Sequence, residues 1–365
     1  MSEQKNNQLS RIVIKGFKSI KECDVDLKNI NILIGANGAG KSNFIAIFEM
    51  LQRILAGELS SYAMKKGIDP LLYNGKAATD SILAEFHFGA NLYSFVLEWT
   101  DNDSLLFRDE RFETDNATWR DGGYKETKMQ DALRTTNIDK EALQALLYPV
   151  WRVYQFSNTS PTSKMKAENG VGDYDTLMWD ASNLSVYLYH LREHYPESYK
   201  KILKAIQRVM PFFKDFLLKP KEQNKDQIVL RWKQKDYDST LLPSQLSDGA
   251  LRFICLMTLL LQPNELQPAT IIIDEPELGL HPYAISIFAE FVKKAAAKRQ
   301  IILATQSAEL LDHFEPDDVI VVDRTVNGSE FKRLDRGQLT AWLEDDYSLG
   351  ELWNKNLFGG RVSRN

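Results

Sequence analysis

Four residues separate Gly35 from Gly40, and Lys41 and Ser42 follow the second glycine directly. This is the Walker A spacing, and each residue type has a physical reason to be there. Glycines let backbone N–H groups turn inward and approach phosphate oxygens with no Cβ in the way. Lys41 places a cation near the β- and γ-phosphates, and the Ser42 hydroxyl suits a divalent metal. A helix opening at this point adds its positive end. Asn37, Gly38, Ala39, Gly40, Lys41, Ser42 and Asn43 are therefore candidate nucleotide-binding residues. A second pattern, ATIIIDEPELGLHP at 269–282, is an apolar strand that ends in two acids. Asp274 is placed to bind Mg²⁺, and Glu275 to orient and deprotonate an attacking water. A third, QLSDGALRF at 245–253, lies between the first two. Its Ser-Asp-Gly reads as a helix N-cap, and equally as a helix N-terminus aimed at phosphate.

These groups need a scaffold of strands and helices. RIVIKGFKSI alternates like a strand interrupted at Gly16, and INILIG reads as a strand buried on both faces. A helix is expected over 42–55. Two strands joined at Gly89-Ala90-Asn91 follow, then strand text near 107–112, a helix over 127–147 and the strand VWRVYQF. The stretch NTSPTSKMKAENGVGDYD reads as a loop. Helices are expected at 182–194 and 196–210, the second started by Pro196, then a strand QIVLRWK. Further helices fall at 248–261 and 283–298, and the strands TIIIDE, QIILATQS and VIVVDR accompany them. Alternation of strands and helices implies a largely parallel sheet, and the hairpins of the first half imply an antiparallel one.

The bulk composition is that of an ordinary globular protein: 365 residues, 44% hydrophobic and 26% charged, enough to bury a large core. A formal net charge of −5 gives no sequence-wide basic footprint for nucleic acid. The short basic clusters KMK (164–166), KPK (219–221) and KKAAAKR (293–299) read as solvated faces, and Lys18 as a solvated lysine. Cys23 and Cys255 are the only cysteines, too few for a disulfide framework or a zinc cluster, which suits a reducing cytoplasm. No apolar signal core opens the chain, and the longest apolar stretch, near FICLMTLLL, is about half a membrane span. The seven tryptophans, among them Trp151, Trp179, Trp232 and Trp353, read as core or interface anchors. The acidic DHFEPDD at 312–318 reads as a loop before a strand.

The order of the three patterns resembles that of ABC ATPases, and LSDGA resembles their LSGGQ signature, with Asp248 in place of its first glycine. DEPELGLHP followed by ILATQS is similar to the group that holds structural-maintenance-of-chromosomes (SMC), RecF and OLD proteins. RIVIKGFKSIKECDVDL, YQFSNTSP, SNLSVYLYHLRE, VMPFFKDF, LRW, LSDGALRFICL and WLEDDYSLGELWNKNLFGG extend the likeness over nearly the whole chain. They resemble the ABC-like predicted-ATPase family labelled AAA_21.

The resemblance implies an α/β ABC-ATPase head with a mixed sheet, an antiparallel β part and a helical insertion. Its expected parts are a first half at 1–157, the insertion at 158–240, a second half at 241–340 and a tail at 341–365. It implies Mg-ATP as ligand and an ATP-dependent homodimer. Gln155 takes the Q-loop position near Mg²⁺ and the water, and Gln306 the switch position. Ser247, Asp248 and Gly249 lie in the segment that meets the γ-phosphate of the partner copy, and Gly279, Leu280 and His281 in the D-loop. A separate effector, a nuclease or toxin, follows as the expected partner, because about forty residues after Asp323 are too few for the Toprim nuclease of OLD proteins. DNA contact is weakly supported. A slow nucleotide-gated scaffold and a transporter subunit remain as alternatives.

Overall fold

The computed structural model describes residues 8–135, 151–219 and 227–360, apart from 161, 168, 171, 173, 174, 338, 340, 341 and 343–345. The described chain divides into two compact units. One holds Met1–Val153, Pro268–Ile272 and Arg299–Asn365, and the other Tyr154–Gln267 and Ile273–Lys298.

The first unit is built on sheets. Strands β1 (Leu9–Phe17), β2 (Ile20–Asp26), β4 (Ser81–Phe88), β5 (Asn91–Trp99), β6 (Leu105–Glu113) and β7 (Thr118–Asp121) form one antiparallel sheet in the order β2-β1-β4-β5-β6-β7. β4 and β5 alternate buried and half-buried residues, the period-2 pattern of a sheet with one covered face. Gly16 sits inside β1 at φ 73°, where a Cβ would collide with the Ser81 carbonyl and lie 2.9 Å from the Thr79 methyl. The sequence reads an interruption there, and the strand instead runs through it, because the neighbouring strand approaches too closely for any side chain.

The second sheet has the order β16-β15-β3-β14-β13-β8. It comprises β3 (Ile30–Ile34), β8 (Trp151–Tyr154), β13 (Thr270–Asp274), β14 (Gln300–Thr305), β15 (Val319–Thr325) and β16 (Gly328–Arg333). β3 pairs in parallel with β14 and β15, and β15 pairs antiparallel with β16, so the sheet is mixed. Helix α1 (Lys41–Leu55) leaves β3 and shares one continuous core with inward residues of both sheets. Phe44, Ile47, Phe48, Met50, Leu51 and Ile54 of α1 are all fully buried. The buried face is wide, with Ser42, Gln52 and Arg53 left exposed on the other side, which explains why the sequence is apolar beyond one narrow stripe. Short helices α2 (Leu59–Lys66) and α3 (Met129–Thr135) follow. The rest of the helix expected over 127–147 lies mostly outside the described residues.

The second unit is mainly helical: α4 (Leu184–His194), α5 (Pro196–Val209), α6 (Asp248–Leu261) and α7 (Pro282–Ala296). Pro196 occupies the first turn of α5, as its fixed φ favours. Two small ribbons accompany the helices, β9 (Asn169–Gly170) with β11 (Gln227–Ile228), and β10 (Phe213–Leu217) with β12 (Arg231–Gln234). The single strand expected at QIVLRWK is therefore two, each with a different partner. Trp232 lies flat on Phe213 across the second ribbon, with centroids 5.5 Å apart. Among the described residues no helix is long and apolar enough to cross a membrane.

The first unit's core has an aromatic centre at Phe86, fully buried within 6.5 Å of the rings of Phe48, Tyr93, Phe95 and Trp151. Phe86→Ala is expected to lower unfolding free energy by about 3–5 kcal/mol, measured by urea denaturation.

Candidate functional site

In the first unit, β3 delivers the chain to the glycine-rich loop. Gly35 is buried under the Val322 carbonyl, so close that a Cβ would collide with it. Gly38 and Gly40 take φ of 79° and 123°, which side-chain-bearing residues avoid. A Cβ on Gly40 would overlap the Ser329 hydroxyl. Asn37, Gly38 and Ser42 are exposed at the loop mouth, Asn43 is half-buried, and Ala39 and Lys41 are buried. The Lys41 ammonium donates to the Gly35 carbonyl at 2.7 Å and the Ala36 carbonyl at 3.1 Å, so it lies folded over its own loop. No acid occupies the first turn of α1, which leaves the helix's positive end uncancelled by a side chain of its own.

A polar chain braces this loop from behind. The Ser329 hydroxyl donates to the Ala39 carbonyl at 2.6 Å and lies 2.7 Å from the Ser19 hydroxyl. The Asn43 amide donates to Ser19 Oγ at 2.7 Å. On the other side, the Ala36 N–H donates to the Gly360 carbonyl at 2.6 Å, and the Gly360 N–H to Asp323 Oδ1 at 2.6 Å. Ser19, Ser329, Asp323 and Gly360 have no role assigned from the sequence. Ser329 meets Ser19 and Ala39, and Gly360 meets Ala36, across hundreds of positions, which local pattern does not reveal. Gln306 comes to the same strand edge: Thr305 pairs with Ile34, so Gln306 and Gly35 leave adjacent strands side by side.

In the second unit, the Ser247 hydroxyl caps α6 by accepting from the Ala250 N–H at 3.2 Å. Ser247 and Asp248 are exposed. Gly249 is a close-approach glycine: a Cβ there would collide with the carbonyl oxygen of Gly279, itself at φ 71°. The segment LSDGA and the segment ELGLHP therefore meet backbone to backbone. His281 caps α7, its Nδ1 accepting from the Tyr283 N–H at 3.2 Å. Asp274 ends β13 half-buried. Glu275 follows at φ 48°, a left-handed conformation uncommon for a non-glycine residue. Gln155 is exposed between buried Tyr154 and Phe156, and its N–H donates to the Trp179 carbonyl at 2.9 Å.

Arg252, which the sequence reading passed over, ties these segments together. It is 5% exposed. Its Nε donates to the Phe156 carbonyl at 2.9 Å, its Nη2 to the Ser157 carbonyl at 3.0 Å, and its Nη1 to the Leu278 carbonyl. Burial lowers its pKa, and the nearby Asp248 partly offsets that. The three carbonyls satisfy the guanidinium fork that water would otherwise solvate. The only sequence signal for Arg252 is its place one turn after Asp248, and nothing local marks its targets.

Several sequence readings change in the fold. Lys18 is half-buried rather than solvated, with its ammonium 5.7 Å from the Phe17 ring and its pKa lowered by burial. Arg299, grouped with exposed Lys293 and Lys294, is buried. Trp151, Trp232 and Trp353 are buried as anchors, whereas Trp179 is 60% exposed. Residues 220 and 221 of KPK lie outside the described residues.

Residues 30–312 match the family model AAA_21, described as "AAA domain, putative AbiEii toxin, Type IV TA system". The fold and the glycine-rich loop define an ABC-type P-loop ATPase of the SMC, RecF and OLD group. The chain belongs to the AAA_21 family. It is 25% identical to the Old nuclease of Escherichia phage P2 over 363 residues, covering 88% of this chain and 60% of that protein. Over 71 residues it is 35% identical to the DNA replication and repair protein RecF of Vibrio campbellii, 19% of this chain and 20% of that one. The chain thus spans less than two thirds of these relatives. An SMC head bound to the C-terminal winged-helix domain of ScpA matches with TM-score 0.54 and 15% identity, over 90% of this chain and 99% of that one. The Smc head of Pyrococcus furiosus, bound to the C-terminal domain of ScpA, matches equally at TM-score 0.54 over 93% and 99%. At that identity these two establish the fold alone.

Arg252→Met removes the whole fork and leaves three carbonyls to find other donors. The expected loss of stability is about 2–4 kcal/mol. Hydrogen exchange should accelerate at 156–158 and 278–280, while amides of the antiparallel sheet keep their protection.

Proposed function

We propose that this protein binds and hydrolyses Mg-ATP, that two copies close on the nucleotide, and that the closed state governs a separate effector, a nuclease or toxin, acting on or around DNA. The observation that carries the proposal is the braced loop Gly35–Ser42. Its glycines adopt conformations and contacts only glycine tolerates, its lysine is pre-positioned, and its helix opens without a competing acid. Both relatives named above bear titles that tie them to nucleic-acid chemistry, and this supports the DNA-linked effector.

The chain's own residues divide the work. The Lys41 ammonium would exchange the Gly35 and Ala36 carbonyls for β- and γ-phosphate oxygens, and the N–H groups of Gly38 and of 40–43 would turn to the same charge. Hard oxygen donors suit Mg²⁺, and this set offers the Ser42 hydroxyl, the Asp274 carboxylate and the Gln155 amide oxygen. Bound there, Mg²⁺ would neutralise phosphate charge. Glu275 would take the proton of the attacking water, and Gln306 would donate a hydrogen bond to the departing phosphoryl group. Glutamine has no proton to exchange near neutral pH, so this contact would not titrate. Ser247 and the first N–H groups of α6 would meet the γ-phosphate held by the other copy, which makes ATP the link between protomers.

Lys41→Ala is expected to abolish saturable binding of a fluorescent ATP analogue. Glu275→Gln should still bind ATP and accumulate ATP-linked dimers in light scattering. A Glu275→Gln protein that stays monomeric at saturating ATP would count decisively against closure of two copies on nucleotide.

A further inference from the structure

The basic pair Lys164 and Lys166 reads in the sequence as a solvated face, and for Lys166 the structure reverses that. Lys164 is exposed, but the Lys166 side chain keeps only 9% of its surface. The segment that carries it is fastened at several points. Phe156 and Ser157 give their carbonyls to Arg252. The Ser163 hydroxyl donates to the Asn158 carbonyl at 2.6 Å and receives the Met165 N–H, capping the short turn Lys164–Lys166. Met165 is buried, its sulfur 3.9 Å from that of Cys255 on α6. The stem of Lys166 thus has one course. Its ammonium donates to the Thr159 carbonyl at 2.5 Å and ends 3.5 Å from Asp248 Oδ1.

Asp248 is the position at which the LSDGA segment departs from the glycine expected in an ABC signature. An acid in the first turn stabilises a helix, and for that purpose alone it needs no partner. It also places a negative charge at the helix mouth, where the proposed function requires a triphosphate to approach. The Asp248 side chain is 65% exposed, so it has room to swing across that mouth. Like charges brought together at an interface oppose association. A buried lysine held beside the carboxylate answers both problems, because it cancels the charge and fixes the side chain at the rim.

We propose that Lys166 is a positioning residue for the signature helix: it neutralises and tethers Asp248, so that the Ser247-led end of α6 attracts the triphosphate bound by a second copy. The inference rests on the role given to Ser247 above. It assigns a function to the loop between Gln155 and the helices of the second unit, and it explains how a carboxylate is tolerated at a phosphate-facing turn. Lys166 itself need not touch nucleotide. Its effect passes through Asp248.

The test uses full-length protein carrying Glu275→Gln, with ATP-driven association followed by light scattering and folding checked by thermal unfolding. Lys166→Gln should raise the ATP concentration for half-maximal association by roughly tenfold or more, the scale of an uncompensated like-charge contact. Lys166→Arg should stay near the parent, and adding Asp248→Gly to Lys166→Gln should restore association. Association by Lys166→Gln equal to the parent's overturns the proposal. So does a defect that Asp248→Gly leaves unrelieved, since that marks a lysine needed only for folding. Ser247→Arg separates the two levels: it should block association. If it does and Lys166→Gln has no effect, only the role of Lys166 falls. If Ser247→Arg associates like the parent, the role of Ser247 fails and the Lys166 proposal goes with it.

Discussion

One guanidinium meets three backbone carbonyls, and the arrangement of the second unit depends on it. Arg252 reaches Phe156, Ser157 and Leu278, which belong to two loops distant in sequence. Each loop adjoins a residue with a proposed role, Gln155 in one case and Gly279 in the other. A buried guanidinium is costly unless its donors are paired, and paired carbonyls cannot shift independently of it. The helix that begins at Asp248 and the two loops therefore behave as one piece. The contact of Gly249 with the Gly279 carbonyl adds a steric constraint to the same joint, since any side chain there would force the segments apart.

The glycine-rich loop has a different logic. Its shape comes from residues that accept positive φ, but its position comes from outside. Ser329 and Ser19 support it through the Ala39 carbonyl and Asn43, and Gly360 pins Ala36. One N–H of the loop closes on the loop itself, Ala39 on the Ala36 carbonyl at 3.2 Å, and the rest of the bracing falls on its carbonyls and its outer edge. Lys41 sits on two of those carbonyls, an arrangement that keeps a buried ammonium solvated by protein while holding it beside the loop mouth.

Much of this was legible in order along the chain. The span of α6, 248–261, and the start of α5 at Pro196 follow from local signals, capping and a rigid φ, that act within a few residues. The strand of three isoleucines before Asp274 is legible for a similar reason, because burial on both faces demands an unbroken apolar run. The strand at QIVLRWK was misread as continuous, since alternation does not say which partner each half will find. Lys166 and Arg299 were misread as solvated because a charged residue's burial depends on what folds over it.

The sequence by itself determined the chemistry available: a glycine-rich loop with the Walker A spacing at 35–42, two acids closing an apolar strand, a serine-led helix, and the family these together define. Those are properties of residue type and short spacing, set by backbone conformational preference and by charge. Only the tertiary structure decided which groups support that chemistry. Ser329 behind Gly40, Gly360 beside Ala36, Arg252 on its three carbonyls and Lys166 against Asp248 are pairings across loops and strands of unrelated sequence. They arise because buried polar groups seek partners, and those partners are found in space rather than along the chain.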